Sequence, residues 1–92
     1  MTTAVDPVVA ALREEITALD LRLLETVNSR IETVEKLRRY KAEHDIPFVD
    51  PGRERELLQE LKAANGGPLS EAGVEELVTF VLGLVKREVA ND

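Results

Sequence analysis

The feature that most constrains this fold is a long stretch without helix-breaking residues. After Pro7, neither glycine nor proline occurs until Pro47. Asp6 and Pro7 form a typical helix start, because aspartate caps free N–H groups and proline fits the first helical position. The sequence therefore predicts one helix over about residues 7–43. At about 1.5 Å per residue it would be about 55 Å long, which is more than the width of a domain this small.

Two shorter helices are expected after the long one. Asp50 and Pro51 repeat the start signal, and helix 2 should cover about residues 51–64. The segment NGGP is typical of a stop and a turn, and Ser70 can cap helix 3 over about residues 70–89. No strand pattern is visible. The expected fold class is all-α, with the 92 residues forming one domain.

One face of helix 1 is apolar along its whole length. At 100° per residue its side chains fall within an arc of about 80°. They are Leu12, Ile16, Leu19, Leu23, Val27, Val34 and Leu37. Two shorter helices cannot cover such a face from end to end, so a partner helix is needed. The simplest partner is helix 1 of a second copy, which predicts an intertwined antiparallel homodimer.

Composition argues against several classes of function. The chain has no cysteine and one histidine, so we expect no thiolate or histidine metal site and no cofactor. A net charge of −6 and an aromatic content of 3% argue against a nucleic-acid partner. Apolar runs are too short for a membrane span, and the N-terminus lacks the basic start of a signal peptide. A cytoplasmic protein is expected.

Two cations interrupt the apolar face of helix 1. Arg30 and Lys41 lie within its arc, about 16 Å apart along the helix axis. A buried, unpaired cation costs several kcal/mol, so each needs an anion or must reach the surface. The helical neighbours of Arg30 include no acid, and those of Lys41 include only Asp45. The anion for Arg30 must therefore come from another helix or from a ligand. A third cation, Arg13, lies about 25 Å from Arg30 and could join it only from a second, antiparallel copy.

These charged positions fit the pattern of a known family. The segment LREEITALDLRLLETVNSR, the lysine at Lys41 and the segment PFVDPGRERELLQEL resemble the all-helical (AroQ-type, class II) chorismate mutases. The resemblance covers about residues 10–61, and helix 3 fits it only loosely. It implies an intertwined dimer of three-helix subunits. It also implies rearrangement of chorismate, a small dianion, to prephenate in the shikimate pathway of aromatic amino acid biosynthesis, without a cofactor.

The resemblance also implies roles for the basic residues. Arg30 would bind one substrate carboxylate, and Arg13 would reach the other from the neighbouring subunit. Lys41 would hydrogen-bond the ether oxygen and a carboxylate, and Arg53 would support the anion site. Fixed cations suit this chemistry, because they hold a flexible dianion in its reactive conformation and stabilise the charge that grows on the ether oxygen.

Two acids at the start of helix 2 have two explanations. The resemblance implies that Glu54, with the loop around Asp50, holds the ring hydroxyl. Asp50 is also an ordinary N-cap, and Glu54 would favour the positive end of the helix dipole without any substrate. For Asp50 the two roles are compatible.

Helix 3 departs from the family pattern. Val85 and Val89 would line the substrate site where many members carry a serine and a glutamine, and neither valine can donate to the ether oxygen. The neighbouring Glu88 would replace the glutamine if protonated and facing inward, which predicts acid-favoured activity. The alternative is a solvated Glu88, with Lys41 acting alone. The enzyme would then be slow, and an activating complex with a shikimate-pathway enzyme would fit.

Three functions fit the sequence. The first is chorismate mutase. The second is a sister enzyme, a 4-amino-4-deoxychorismate mutase or an isochorismate pyruvate lyase, and the segment RERE favours a mutase over the lyase. Glu54 would suit a substrate hydroxyl or ammonium equally. The third is a non-catalytic, regulatory helical dimer, against which the retained cations argue.

Overall fold

A computed structural model describes residues 6–90 as three α-helices, which confirms the all-α prediction. Helix α1 is Pro7–Glu43, α2 is Pro51–Ala64 and α3 is Glu71–Ala90. The first two have the bounds expected from the sequence, and α3 begins and ends one residue later than expected. Residues 1–5 and 91–92 lie outside the described residues. The single-domain prediction includes both segments, and the prediction that the N-terminus is not a signal peptide includes residues 1–5.

Each helix begins at a capping side chain. Oxygens of Asp6, Asp50 and Ser70 accept hydrogen bonds from backbone N–H groups of the following turn, at 2.8, 3.1 and 3.0 Å respectively. Pro7 and Pro51 occupy the first helical positions of α1 and α2. Caps of this kind satisfy N–H groups that have no partner within the helix, so the three starts are fixed by local chemistry.

A residue in the left-handed region ends α1 and reverses the chain. Asp45 has a φ of 55°, a conformation that aspartate tolerates better than most residues. The backbone N–H of Ile46 donates to the carbonyl of Lys41 at 2.8 Å, which satisfies a carbonyl of the last turn. The reversal places the α1–α2 loop beside the end of α1.

Helix α3 supplies the buried core of a single chain. It contacts both α1 and α2. Its buried side chains lie on one face and are all valines: Val74, Val78, Val85 and Val89. Their spacing of four, seven and four residues is that of a helix face packed against other helices.

The apolar face of α1 is largely uncovered within one chain. Leu12, Ile16, Leu19 and Leu23 are between 51% and 59% exposed. The radius of gyration is 18.2 Å, against about 12 Å for a compact domain of this length. The accessible surface is 7595 Å², against about 5,300 Å² for a globular monomer of this mass. The described chain is therefore more extended than a compact monomer, and its long helix exposes an apolar face.

Candidate active site

One pocket brings together residues from all three helices and from the α1–α2 loop. Its volume is about 120 Å³. Its charged lining residues are Arg30, Lys41, Asp50, Arg53, Glu54 and Lys86. Its apolar lining residues are Val34, Leu37, Phe48, Val49, Leu82 and Val85. Most residues that the sequence analysis assigned to a substrate site therefore line one cavity.

The pocket is positive although the whole chain is acidic. Four cations and two carboxylates line it, which gives a formal charge of +2, whereas the chain carries −6. A local cluster of this kind can attract an anion against the sign of the overall charge. A charge of +2 complements a small dianion.

Arg30 lines the pocket and forms no ion pair with an acid among residues 6–90. Its side chain is partly buried, and no ion pair within the described structure includes it. Two other arginines of α1 behave in the ordinary way, since Arg38 and Arg39 contact Glu35 at 2.6 and 3.0 Å. The absence of an acid near Arg30 within helix 1 was predicted, and α2 and α3 do not supply one either.

Lys41 is oriented by a backbone carbonyl rather than by an acid. Its Nζ donates to the carbonyl oxygen of Phe48 at 3.2 Å, a contact that the reversal after α1 makes possible. Asp45, its acidic neighbour in the sequence, lies beyond the helix end in the left-handed turn. An ammonium group has three donors, so two remain for a ligand in the pocket.

Asp50 and Arg53 begin α2 at the rim of the pocket. Asp50 Oδ1 accepts from the backbone N–H of Arg53 at 3.1 Å, so the N-cap explanation holds. The guanidinium of Arg53 leans outward, with Nη1 3.6 Å from Glu60 Oε1, and both side chains are more than half exposed. An exposed pair of this kind contributes little energy, so Arg53 can turn towards an anion at small cost.

Glu54 forms an ion pair with Lys86 of α3, a pocket residue that the sequence analysis missed. The contact joins Glu54 Oε1 to Lys86 Nζ and links α2 to α3. Lys86 follows Leu82 by four residues, which places it on the same side of α3 at the edge of the apolar face. That spacing could have indicated that Lys86 lies beside the pocket. It does not show that Lys86 contacts Glu54, which belongs to another helix.

Two of the helix 3 residues predicted for the site do not line the pocket. Val85 is buried and lines it, whereas Val89 is buried outside its lining. Glu88 is 47% exposed, with Oε1 3.9 Å from Arg87 Nη2, so the inward-facing arrangement considered from the sequence does not hold in this chain. With Val74 at zero, the buried valines span about 0° to 60°, and Glu88 lies outside that arc at about −40°.

Arg13 lies far from the pocket of its own chain. It is exposed and sits in the first half of the continuous helix α1. Seventeen residues of helix separate it from Arg30, which is about 25 Å. The structure of one chain does not bring these two arginines together.

Two kinds of feature are absent between residues 6 and 90. No three histidine, cysteine, aspartate or glutamate side chains in that range come together as metal ligands. Over the same residues, no helix combines the length and apolar character that crossing a bilayer requires.

Two solved structures resemble this fold over most of their length. Both are of the chorismate mutase from Thermus thermophilus. Form I has a TM-score of 0.81 and 28% sequence identity, over 84% of this chain and 96% of the other. Form II has a TM-score of 0.84 and 27% identity, over 89% of this chain and 93% of the other.

A sequence relative and a family model add to this likeness. The 4-amino-4-deoxychorismate mutase of Streptomyces venezuelae is 48% identical over 42 residues. That match spans 46% of this chain and 41% of the relative, less than half of either. The model for chorismate mutase type II matches residues 12–88. Because this match takes in most of the chain, including every residue that lines the pocket, the protein belongs to the chorismate mutase type II family.

Proposed function

We propose that this protein is a chorismate mutase, an isomerase that converts chorismate to prephenate. The proposal is carried by the position of Arg30, a partly buried cation that lines a positive pocket and forms no ion pair within the described chain. Such a group requires an anion from outside the chain. Family membership and the two similar chorismate mutase structures support chorismate as the source of that anion.

The reaction needs positioning and charge rather than a nucleophile. One C–O bond of the enolpyruvyl ether breaks while one C–C bond forms in the same molecule, so atoms and electrons balance without a second reactant. The enzyme must hold a flexible dianion in its compact conformation. It must also stabilise the negative charge that develops on the ether oxygen.

The basic residues divide this work. Arg30 can bind one carboxylate with two parallel N–H donors. Lys41, held by the Phe48 carbonyl, keeps two N–H donors that can reach the ether oxygen and a carboxylate. Arg53 would turn inward from Glu60 to add to the positive field. These three roles are proposed from the position of each residue in the pocket lining and from the contacts that Lys41 and Arg53 already make.

The two acids would bind the opposite side of the substrate. Glu54 lines the pocket and can accept a hydrogen bond from the ring hydroxyl. Asp50 caps α2 through one oxygen and lines the pocket at the same time, so its second oxygen can take part. The apolar residues Val34 and Val85 exclude water between these polar groups.

Val85 gives the ether oxygen no second donor, and Glu88 does not supply one within this chain. Lys41 would then act alone on the ether oxygen. A site with one donor fewer is expected to be about 10²–10³ slower than a complete one. The proposal therefore includes a slow enzyme that a shikimate-pathway enzyme could activate by docking to it.

The proposed active unit is an antiparallel homodimer. The accessible surface of this chain exceeds that of a globular monomer of the same mass by about 2,300 Å². An area of this size is in the range that obligate interfaces bury. The exposed face of α1, with Leu12 and Leu19 at 51% and 59%, would supply its centre. Antiparallel α1 helices would bring Arg13 of one copy towards Arg30 of the other, completing two identical sites.

A second candidate substrate is 4-amino-4-deoxychorismate. The specific observation in its favour is the 48% identity over 42 residues with the Streptomyces venezuelae enzyme of that name. The two substrates share both carboxylates and the ether oxygen, so the basic side of the pocket would serve either. They differ at the group that Glu54 would contact.

The proposal predicts that purified protein consumes chorismate and forms prephenate in equal amounts. Arg30→Ala should lower kcat/KM by at least about 10²-fold, because it removes a fixed cation from a water-poor site. The matched control is Arg39→Ala, which removes an arginine from the same helix at a 69% exposed position paired with Glu35. It should stay within about twofold of wild type. No turnover of chorismate or of its 4-amino analogue would refute the proposal.

A further inference from the structure

The ion pair between Glu54 and Lys86 forms a wall of the pocket. Lys86 Nζ contacts Glu54 Oε1, and the two side chains are 39% and 30% exposed. The same two residues line a neighbouring groove between α2 and α3, which includes Thr79 and Gly83. The pair therefore stands between two cavities, at the place where the substrate group bound by Glu54 would lie.

Lys86 is the cation that Glu54 contacts among residues 6–90. The other basic residues of the pocket are engaged elsewhere or unpaired: Arg53 lies 3.6 Å from Glu60, and Lys41 donates to Phe48. Lys86 contacts Oε1, and the carboxylate keeps further acceptor sites for a substrate, those of Oε2 among them. A neutral hydroxyl can donate its single proton to that oxygen without displacing the lysine.

A substrate ammonium would meet a different environment at the same place. It would bring a second cation to a carboxylate that Lys86 already neutralises, and like charges at an interface discriminate against a ligand. The charge of the pocket acts in the same direction. Lys86 is one of four cations against two carboxylates in the lining, and each added cation opposes the binding of a substrate ammonium.

We propose that Lys86 is a specificity-determining residue, which acts through Glu54 to select a substrate with a ring hydroxyl over one with an ammonium at that position. In this family the choice is between chorismate and its 4-amino-4-deoxy analogue. The inference rests on the proposed function, that this pocket binds a chorismate-like dianion. Lys86 is a positioning residue in this scheme, since it touches Glu54 rather than the reacting atoms.

The test compares kcat/KM for the two substrates in wild type and three variants. Wild type should prefer chorismate. Lys86→Met should shift the ratio of the two values by about tenfold or more towards the amino substrate, because it frees Glu54 for the ammonium. Lys86→Arg keeps the charge and should leave the ratio within about threefold of wild type.

Lys62→Met is the matched control. Lys62 of α2 pairs with Glu75 of α3 at 3.1 Å, so this variant also removes a lysine–glutamate contact between the same helices, away from the pocket. Its ratio should stay within about twofold of wild type. Circular dichroism identifies folded variants, and Lys86→Gln replaces Lys86→Met if the latter does not fold.

The outcomes separate the two proposals. Turnover with an unchanged ratio in a folded Lys86 variant overturns the role of Lys86 and leaves the mutase function intact. A wild-type preference for the amino substrate also overturns it. No turnover of either substrate by wild type overturns the proposed function, and the role of Lys86 with it.

Discussion

At the scale of single residues, the pocket depends on which cations find partners within the chain. The isolation of Arg30 could be predicted, because its neighbours three and four residues away on α1 are fixed by helix geometry and contain no acid. The pair between Lys86 and Glu54 could not, because its members lie on different helices. The spacing of residues along a helix shows whether a cation has an acidic partner on that helix. Tertiary packing decides whether it has one on another helix.

Glu88 illustrates the limit of helical-wheel reasoning. Its angle lies near that of Val81, which suggested an inward position, yet Val81 is itself only partly buried. The buried face of α3 centres on Val78 and Val85, and that centre depends on where α1 and α2 pack. The sequence gives the order of residues around a helix, but the direction of the core is set by its neighbours.

We therefore expect Glu88→Gln to leave kcat/KM for chorismate within about twofold of wild type, as is typical of an exposed position. The pH profiles of the two proteins between pH 5 and 8 should coincide, because the carboxylate at Glu88 is 47% exposed beside Arg87 and outside the pocket. Steady-state kinetics on both proteins measure this. A change of tenfold or more in kcat/KM would show that Glu88 acts in the site. An acid-favoured pH profile in wild type that the variant loses would show the same.

At the scale of elements, the helices were predictable because their starts and stops are local. Asp6, Asp50 and Ser70 each cap the following turn, and the breakers after α1 and α2 stand next to the helix ends. The expected helix 3 began at Ser70, whereas α3 begins at Glu71, because the capping residue lies just outside the helix it caps. The loop contact between Lys41 and Phe48 was beyond local rules, since it depends on the chain reversal.

Asp50 allows a structural role to be separated from a substrate role. Asp50→Ala should lower the free energy of unfolding by about 1 kcal/mol through loss of the N-cap. Asp50→Ser keeps a capping oxygen and should recover most of that stability. If Asp50 also helps to hold the substrate, both variants should lose activity, by about tenfold. Thermal unfolding at one protein concentration and kinetics on each variant give the two readouts.

Asp6→Ala is the control for this pair of variants. Asp6 caps α1 through Val8 and Val9 at 2.8 and 3.2 Å, far along the helix from the pocket of its own chain and about two turns before Arg13. It should lose a similar amount of stability with its activity retained. Full activity in Asp50→Ser would show that the carboxylate serves only as a cap.

At the scale of the whole molecule, the long helix determines the shape of the chain. A 37-residue α1 extends beyond what α3 can cover, so the chain measures 67 Å along its longest axis. The length of the helix and its continuous apolar stripe predict a partner, and the exposed face of α1 supports that prediction. The symmetry of the partner is a property of two chains together, and the antiparallel homodimer is for that reason a proposal.

In the proposed dimer, two copies of this chain build each site, with Arg30 from one and Arg13 from the other. Mixing two variants tests it most directly. Arg13→Ala and Arg30→Ala homodimers should each lose at least about 10²-fold in activity. Unfolded together and refolded as an equal mixture, they should recover about a quarter of the wild-type rate, because half the dimers are hybrids with one intact site of two. A mixture no more active than its two components, with both variants refolded and dimeric, would contradict the shared site.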